Sequence, residues 1–158
     1  MPATRNDLPS NVRTSMIAQL NARLADALDL KLAVKQAHWN VKGQGFIALH
    51  ELFDAIATRV EAHGDDLAER AVMLGGIAAG TSQIVAKEST LEPYPADITD
   101  QTAHVTALSD RLAAFGKAVR AAIDEADEAG DKDTADLFTG ISRAIDKDLW
   151  FVEAHLGK

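Results

Sequence analysis

All four prolines of this chain lie in two places: Pro2 and Pro9 near the start, and Pro93 and Pro95 in the patch LEPYP. A proline inside a helix costs about 3 kcal/mol, so residues 10–92 and 96–158 are free to be helical throughout. Both stretches are rich in Ala, Leu, Glu, Asp and Lys, and neither holds the sustained Val/Ile/Thr alternation of a strand. The class is all-α. Glycines punctuate the blocks at Gly43-Gln44-Gly45, at Gly75-Gly76 and at Gly130-Asp131. The pattern predicts helices over 10–42, 46–74, 97–128 and 132–155. Ser10 or Asn11 would cap the first and Thr99 or Asp100 the third. Residues 77–96 form a long connection with room for a short helix over 81–87. Short loop, long crossover, short loop is the wiring of a four-helix bundle. We expect one domain over 1–158, with 1–9 as a flexible tail.

Composition narrows the chemistry. The 158 residues include no cysteine, which excludes disulfides, thiolate catalysis, iron–sulfur clusters and zinc fingers. The net charge of −8 argues against a nucleic-acid binder that works by neutralising phosphates. No stretch approaches the roughly 18 apolar residues of a membrane span. The start, MPATRNDLPS, has neither the basic nor the apolar segment of a signal peptide, so a cytoplasmic protein is expected. Residues 1–96 carry 9 Lys and Arg against 11 Asp and Glu, whereas residues 97–158 carry 7 against 13. The acidic field is concentrated in the second half. An acidic protein that handles cations fits this balance.

The informative stretch is KQAHWNVKGQGFIALHELFDAIATRVEAHGDDLAER, residues 35–70, with His38, His50, Asp54, His63, Asp65, Asp66 and Glu69. Imidazole nitrogen with carboxylate oxygen suits iron, manganese or zinc. At about 100° per residue, with His50 at zero, Asp54 falls at ~40°, Asp65 at ~60° and Glu69 at ~100°. The apolar residues Leu49, Leu52, Phe53, Ile56, Val60, Leu67 and Leu74 cluster at ~200–300°, and His63 falls among them at ~220°. The four candidate ligands therefore face away from this chain's own core. His50 and Asp65 also stand about 22 Å apart along the helix, too far for one metal site. If all are ligands, His38, His50 and Asp54 of one subunit must meet Asp65 and Glu69 of another. Two antiparallel copies of helix two around a two-fold axis achieve this. Ala57, Ala62 and Ala68 would allow close approach. His50-Glu51 resembles the start of a zinc-protease HExxH, but the fifth residue is Asp54.

The sequence resembles the Dps family of ferritin-like proteins. The resemblance rests on TRNDL (4–8), KQAHWN (35–40), FIALHELFD (46–54), D-x-x-AER (65–70) and LGG (74–76). It continues through YPADI (94–98), TADLF (134–138) and SR-x-ID-x-DLWF (142–151), and so covers nearly the whole chain. It implies a ferritin-like bundle in which His38, His50, Asp54, Asp65 and Glu69 are ferroxidase ligands shared between two subunits. Trp39 would sit beside the iron. Twelve subunits would form a hollow shell that oxidises Fe(II), typically with H2O2, and stores ferric mineral. Asp131, Asp133 and Asp136, at the start of helix four, are candidates for a negative pore drawing Fe²⁺ inward; helix-N-terminal carboxylates favoured by the dipole are the other reading. An alternative role is a DNA-compacting nucleoid protein. DNA-binding relatives often carry a lysine-rich tail, yet residues 1–13 hold only Arg5 and Arg13 against Asp7. Weak or absent DNA binding is expected.

Overall fold

The computed structural model describes residues 3–157, and all of its long elements are helices. They are α1 (Ser10–Asn40), α2 (Phe46–Met73), the short α3 (Ser82–Glu88), α4 (Gln101–Ala129) and α5 (Lys132–Glu153), closed by a 3₁₀ turn over Ala154–Leu156. The expected all-α, ferritin-like four-helix bundle is what forms, with α3 lying in the crossover between the second and third long helices. No helix among the described residues is long and apolar enough to cross a membrane.

The chain's direction follows from its hydrogen bonds. Lys42 N donates to Thr99 O at 2.8 Å, Gln101 N donates to Lys42 O at 3.0 Å, and Gly45 N donates to Gln101 Oε1 at 2.7 Å. The starts of α2 and α4 thus share one end of the bundle, so these two helices run parallel. A parallel connection must return along the bundle's length, which is what residues 74–100 do. Gly43 makes the close approach between the α1–α2 turn and α4 feasible. It has φ +143°, and a Cβ there would stand 2.5 Å from Gln101 Oε1.

The interior is one core. Phe53 and Ile56 of α2 share one buried cluster with Met16, Leu20 and Leu30 of α1, Leu108 and Phe115 of α4, and Phe138 and Ile145 of α5. The crossover is held by polar staples from α1. Asn21 Nδ2 donates to Ile77 O and its Oδ1 accepts from Ala79 N; Asp26 Oδ1 accepts from Thr90 N at 2.7 Å and from Thr90 Oγ1 at 3.0 Å. From α4, Arg111 donates to the carbonyls of Glu92 and Pro93, so the proline patch is fixed at its backbone.

Several terminal details differ from expectation. Neither Ser10 nor Asn11 caps α1; Pro9 occupies that position with extended ψ and no side-chain cap. Asp100 does cap α4, accepting from Ala103 N at 3.0 Å. Leu8 packs against the core, and Arg13 donates both to Leu8 O and to Leu74 O, tying the entering chain to the end of α2. Residues 1 and 2 of the expected tail lie outside the described residues.

Asp131 requires a correction as a pore candidate. It is 2% exposed and caps α5, with Oδ1 accepting from Thr134 N at 3.0 Å and from Arg70 Nη2 at 2.9 Å, and Oδ2 accepting from Thr134 Oγ1 at 2.5 Å. Its charge is spent on α2 and on its own helix start. Asp133 and Asp136 are exposed.

Removing Asp131 leaves the Arg70 guanidinium, itself largely enclosed, without its carboxylate partner and with only its bond to Thr134 Oγ1. Asp131→Ala is expected to destabilise the chain by about 3 kcal/mol, combining a broken buried pair with a lost cap. Chemical denaturation at fixed protein concentration checks this; a loss below 1 kcal/mol would refute it. His104 gives a pH signature. Burial, the dominant influence, holds its pKa below the ordinary imidazole value, against smaller opposite effects of the Ile98 carbonyl and Asp100. The unfolded chain then takes up a proton that the fold resists, so stability falls as pH drops below about 6.5. Denaturation midpoints from pH 7.5 to 5.5 should decline less steeply in His104→Gln than in the parent.

Candidate metal centre

The turn Val41–Gly45 folds the end of α1 back on the start of α2 and brings His38 and His50 face to face. Their ring centroids are 3.8 Å apart and nearly parallel. His38 Nδ1 donates to His50 O at 2.6 Å, and His50 Nδ1 donates to His38 O at 2.8 Å. A carbonyl only accepts, so each bond requires the proton on Nδ1. In the neutral ring this leaves the Nε2 lone pair as the available donor. Such a second bond is how proteins fix the tautomer and aim of a metal-ligating histidine. Each neutral ring thus presents an open Nε2 lone pair.

Asp54 lies one turn beyond His50, its Oδ1 4.0 Å from His38 Nε2. It is exposed, and Lys35 Nζ donates to the same oxygen at 2.8 Å. The Lys35 hydrogen bond and then its charge hold the Asp54 carboxyl below its ordinary value, with smaller contributions from His38 and His50. Lys35 also stands 5.6 Å from the centroid of the Trp39 ring, which is 64% exposed beside the site. Three of the five predicted ligands thus lie near one another, without forming by themselves a group able to hold a metal ion.

Asp65 and Glu69 do not join them. They sit exposed, one turn apart, on the far half of α2. Among the described residues no three His, Asp or Glu side chains of a single chain gather into a group able to hold a metal ion. A groove of ≈570 Å³ borders Asp65, lined by Leu24, Leu28, Ala62, Ala68 and Gly80, and a second of ≈560 Å³ lies beside Glu69, Val72 and Met73. The carboxylate half therefore faces open, largely apolar hollows. Of the small residues expected to permit close approach, Ala62 is exposed and Ala68 half-buried, but Ala57 is buried in this chain's own core.

His63 is half-buried and turned from this face, as its helical position predicted. Burial lowers its pKa, partly offset by the charges of Asp148 and Asp66. Asp148 belongs to a clamp in which Arg59 Nε and Nη2 both donate to its Oδ1, at 3.0 and 2.7 Å. Lys35, within the motif KQAHWN, also belongs to the site, although no ligand chemistry marks it. Its signal was its place three residues before His38, on the same side of α1.

Residues 17–158 match the ferritin-like domain family. A DNA protection during starvation protein of Agrobacterium fabrum is 51% identical over 153 residues, covering 97% of this chain and 94% of its own length. The chain belongs to the Dps family. Its fold superposes on a Mycobacterium smegmatis Dps structure with TM-score 0.94 at 29% identity, over 99% of this chain and 94% of that one. A Vibrio cholerae Dps structure, described as a member of a broad superfamily of ferritin-like diiron-carboxylate proteins, superposes with TM-score 0.91 at 25% identity, over 99% and 98%. Among Dps proteins this chain is thus compared along nearly its full length.

Proposed function

We propose that this Dps protein is a cytoplasmic ferroxidase that takes up Fe²⁺, oxidises it with H2O2 at sites shared between two subunits, and stores the ferric product inside a twelve-subunit shell. The observation that carries the reading is the reciprocal His38–His50 bonding, which leaves two Nε2 donors free beside Asp54. Two imidazoles with three carboxylates form a mixed nitrogen–oxygen set suited to iron, and the anionic oxygens favour Fe³⁺ over Fe²⁺. Two Fe²⁺ ions give two electrons to one H2O2, and with two protons both oxygens leave as water. The diiron-carboxylate description of the Vibrio cholerae relative supports the same chemistry. The twelve-fold shell rests on the family resemblance alone.

Sharing is supported by a coincidence of register along α2. An antiparallel pairing that sets His50 against Glu69 of the partner subunit also sets Asp54 against Asp65 of the partner subunit. The same register places Phe46 against Met73 of the partner subunit, and Ile47 against Val72 of the partner subunit. All four of these apolar residues are between 41% and 61% exposed in the single chain. Ligands and apolar ends thus ask for one and the same two-fold axis. In this arrangement Asp133 and Asp136 remain to line an entry path for Fe²⁺.

The relative's name, DNA protection, keeps DNA compaction as the second reading. Against it stand the sparse basic charge of residues 1–13 and the engagement of Arg13 with Leu8 and Leu74.

Asp65→Ala with Glu69→Ala is expected to abolish fast ferric absorbance after anaerobic Fe(II) loading and stoichiometric H2O2. Complementation tests the sharing. That variant, refolded in equal amounts with His50→Ala/Asp54→Ala, should recover about a quarter of parental activity, since half the pairs are mixed and each mixed pair restores one of two sites. Recovery of nothing would reject the shared site. In a gel-shift assay at low salt the protein should leave DNA unretarded, and retardation at submicromolar protein would favour compaction.

A further inference from the structure

Lys35 is a charged side chain at the candidate site for which the ligand assignment provides no role. Its ammonium already holds Asp54 Oδ1 at 2.8 Å, while the Nε2 atoms of His38 and His50 make no such bond. The half-site is therefore two open donors and one carboxylate whose oxygen facing His38 Nε2 is occupied. Four residues earlier, Lys31 makes a parallel pair with Glu61, also at 2.8 Å, on the same two helices but away from the histidines.

We propose that Lys35 is a built-in counter-cation of the site, which occupies Asp54 in the metal-free protein and is displaced onto the Trp39 ring when a divalent cation binds. This inference rests on the ferroxidase reading above. An ammonium and a divalent ion cannot share one carboxylate oxygen at contact distance without strong repulsion, so loading is an exchange. A divalent ion replaces one positive charge by two and gains electrostatically; a monovalent ion replaces like with like and gains nothing. Lys35 thus filters out the abundant monovalent cations and lowers divalent affinity as the cost. Lysine suits the task as a compact charge on a flexible four-carbon stem. Its resting place is at hand, since Nζ is already 5.6 Å from the Trp39 ring centroid, within cation–π range.

The test uses the assembled protein in a Trp150→Phe background, so that Trp39 alone reports, and redox-inert Zn²⁺ as the probe. Zn²⁺ is titrated by calorimetry and by tryptophan emission. Lys35→Met is expected to bind Zn²⁺ about fivefold tighter and to lose the emission change that accompanies loading in the parent. Lys35→Arg retains a charge and should stay weak. Lys31→Met removes the same charge near the site and should leave affinity essentially unchanged. Equal affinity of Lys35→Met and parent overturns the inference, as does an equal gain in Lys31→Met, which would make the effect one of general field. A parent that binds no Zn²⁺, or binds it undiminished in Asp54→Ala, overturns the ligand assignment as well. A parent that binds through Asp54 without responding to Lys35→Met overturns the counter-cation alone.

Discussion

The pair of hydrogen bonds between His38 and His50 joins the folding of this chain to its chemistry. His38 lies in the last turn of α1, where backbone carbonyls have no partner within the helix. His50 Nδ1 satisfies that orphan carbonyl from the first turns of α2, and His38 Nδ1 returns a bond to the His50 carbonyl. One contact thereby closes a helix end, fixes two tautomers and aims two Nε2 atoms. The tight reversal at Gly43, packed on Gln101 of α4, sets the distance at which the rings meet. The placing of the two imidazoles is a by-product of helix termination.

Parallel α2 and α4 impose the other large feature. The return path along the bundle brings residues 74–100 across α1, which fastens them with Asn21, Asp26 and Asp29. These polar anchors lie on the helix whose far end carries Lys35, His38 and Trp39. A rigid α1 is therefore a requirement of the topology before it is a requirement of the site. The opposite end of the bundle, where α2 finishes, is tied through Arg70 to Asp131 and through Arg13 to Leu74. Both ends of α2 are held, and its outward stripe is left free.

The helices were legible because proline and glycine act locally, and their effects on backbone dihedrals need no tertiary partner. The ligand stripe was legible because period and spacing alone put His50, Asp54, Asp65 and Glu69 on one face. What escaped depends on neighbours distant in sequence. Asp131 read as one of three similar acids at a helix start, and only Arg70, sixty-one residues earlier, removes it from the surface. Ala57 falls between the two stripes of α2, and the closeness of α1 and α2 decides that it is buried. Pro9 replaced Ser10 at the head of α1 because the chain enters the helix in an extended conformation fixed by Leu8 and Arg13. Lys35 shares a side of α1 with His38, but its partner Asp54 is 19 residues away and meets it only because α1 and α2 pack antiparallel.

The distribution of charge and apolar surface along α2 explains why such a site would be built between subunits. Gathering Asp54, Asp65 and Glu69 in one place costs repulsion whenever no cation is bound. Within a single bundle that cost would be borne by the core. Across an interface it is set against burial of Phe46, Ile47, Val72 and Met73, which lie outside the carboxylates at either end of the helix and are exposed in the lone chain. Those ends hold the proposed pair together whether or not the site is filled, and Lys35 cancels one of the three negative charges in the interval. The proposed site would then remain assembled while empty, ready for cations that arrive from solution.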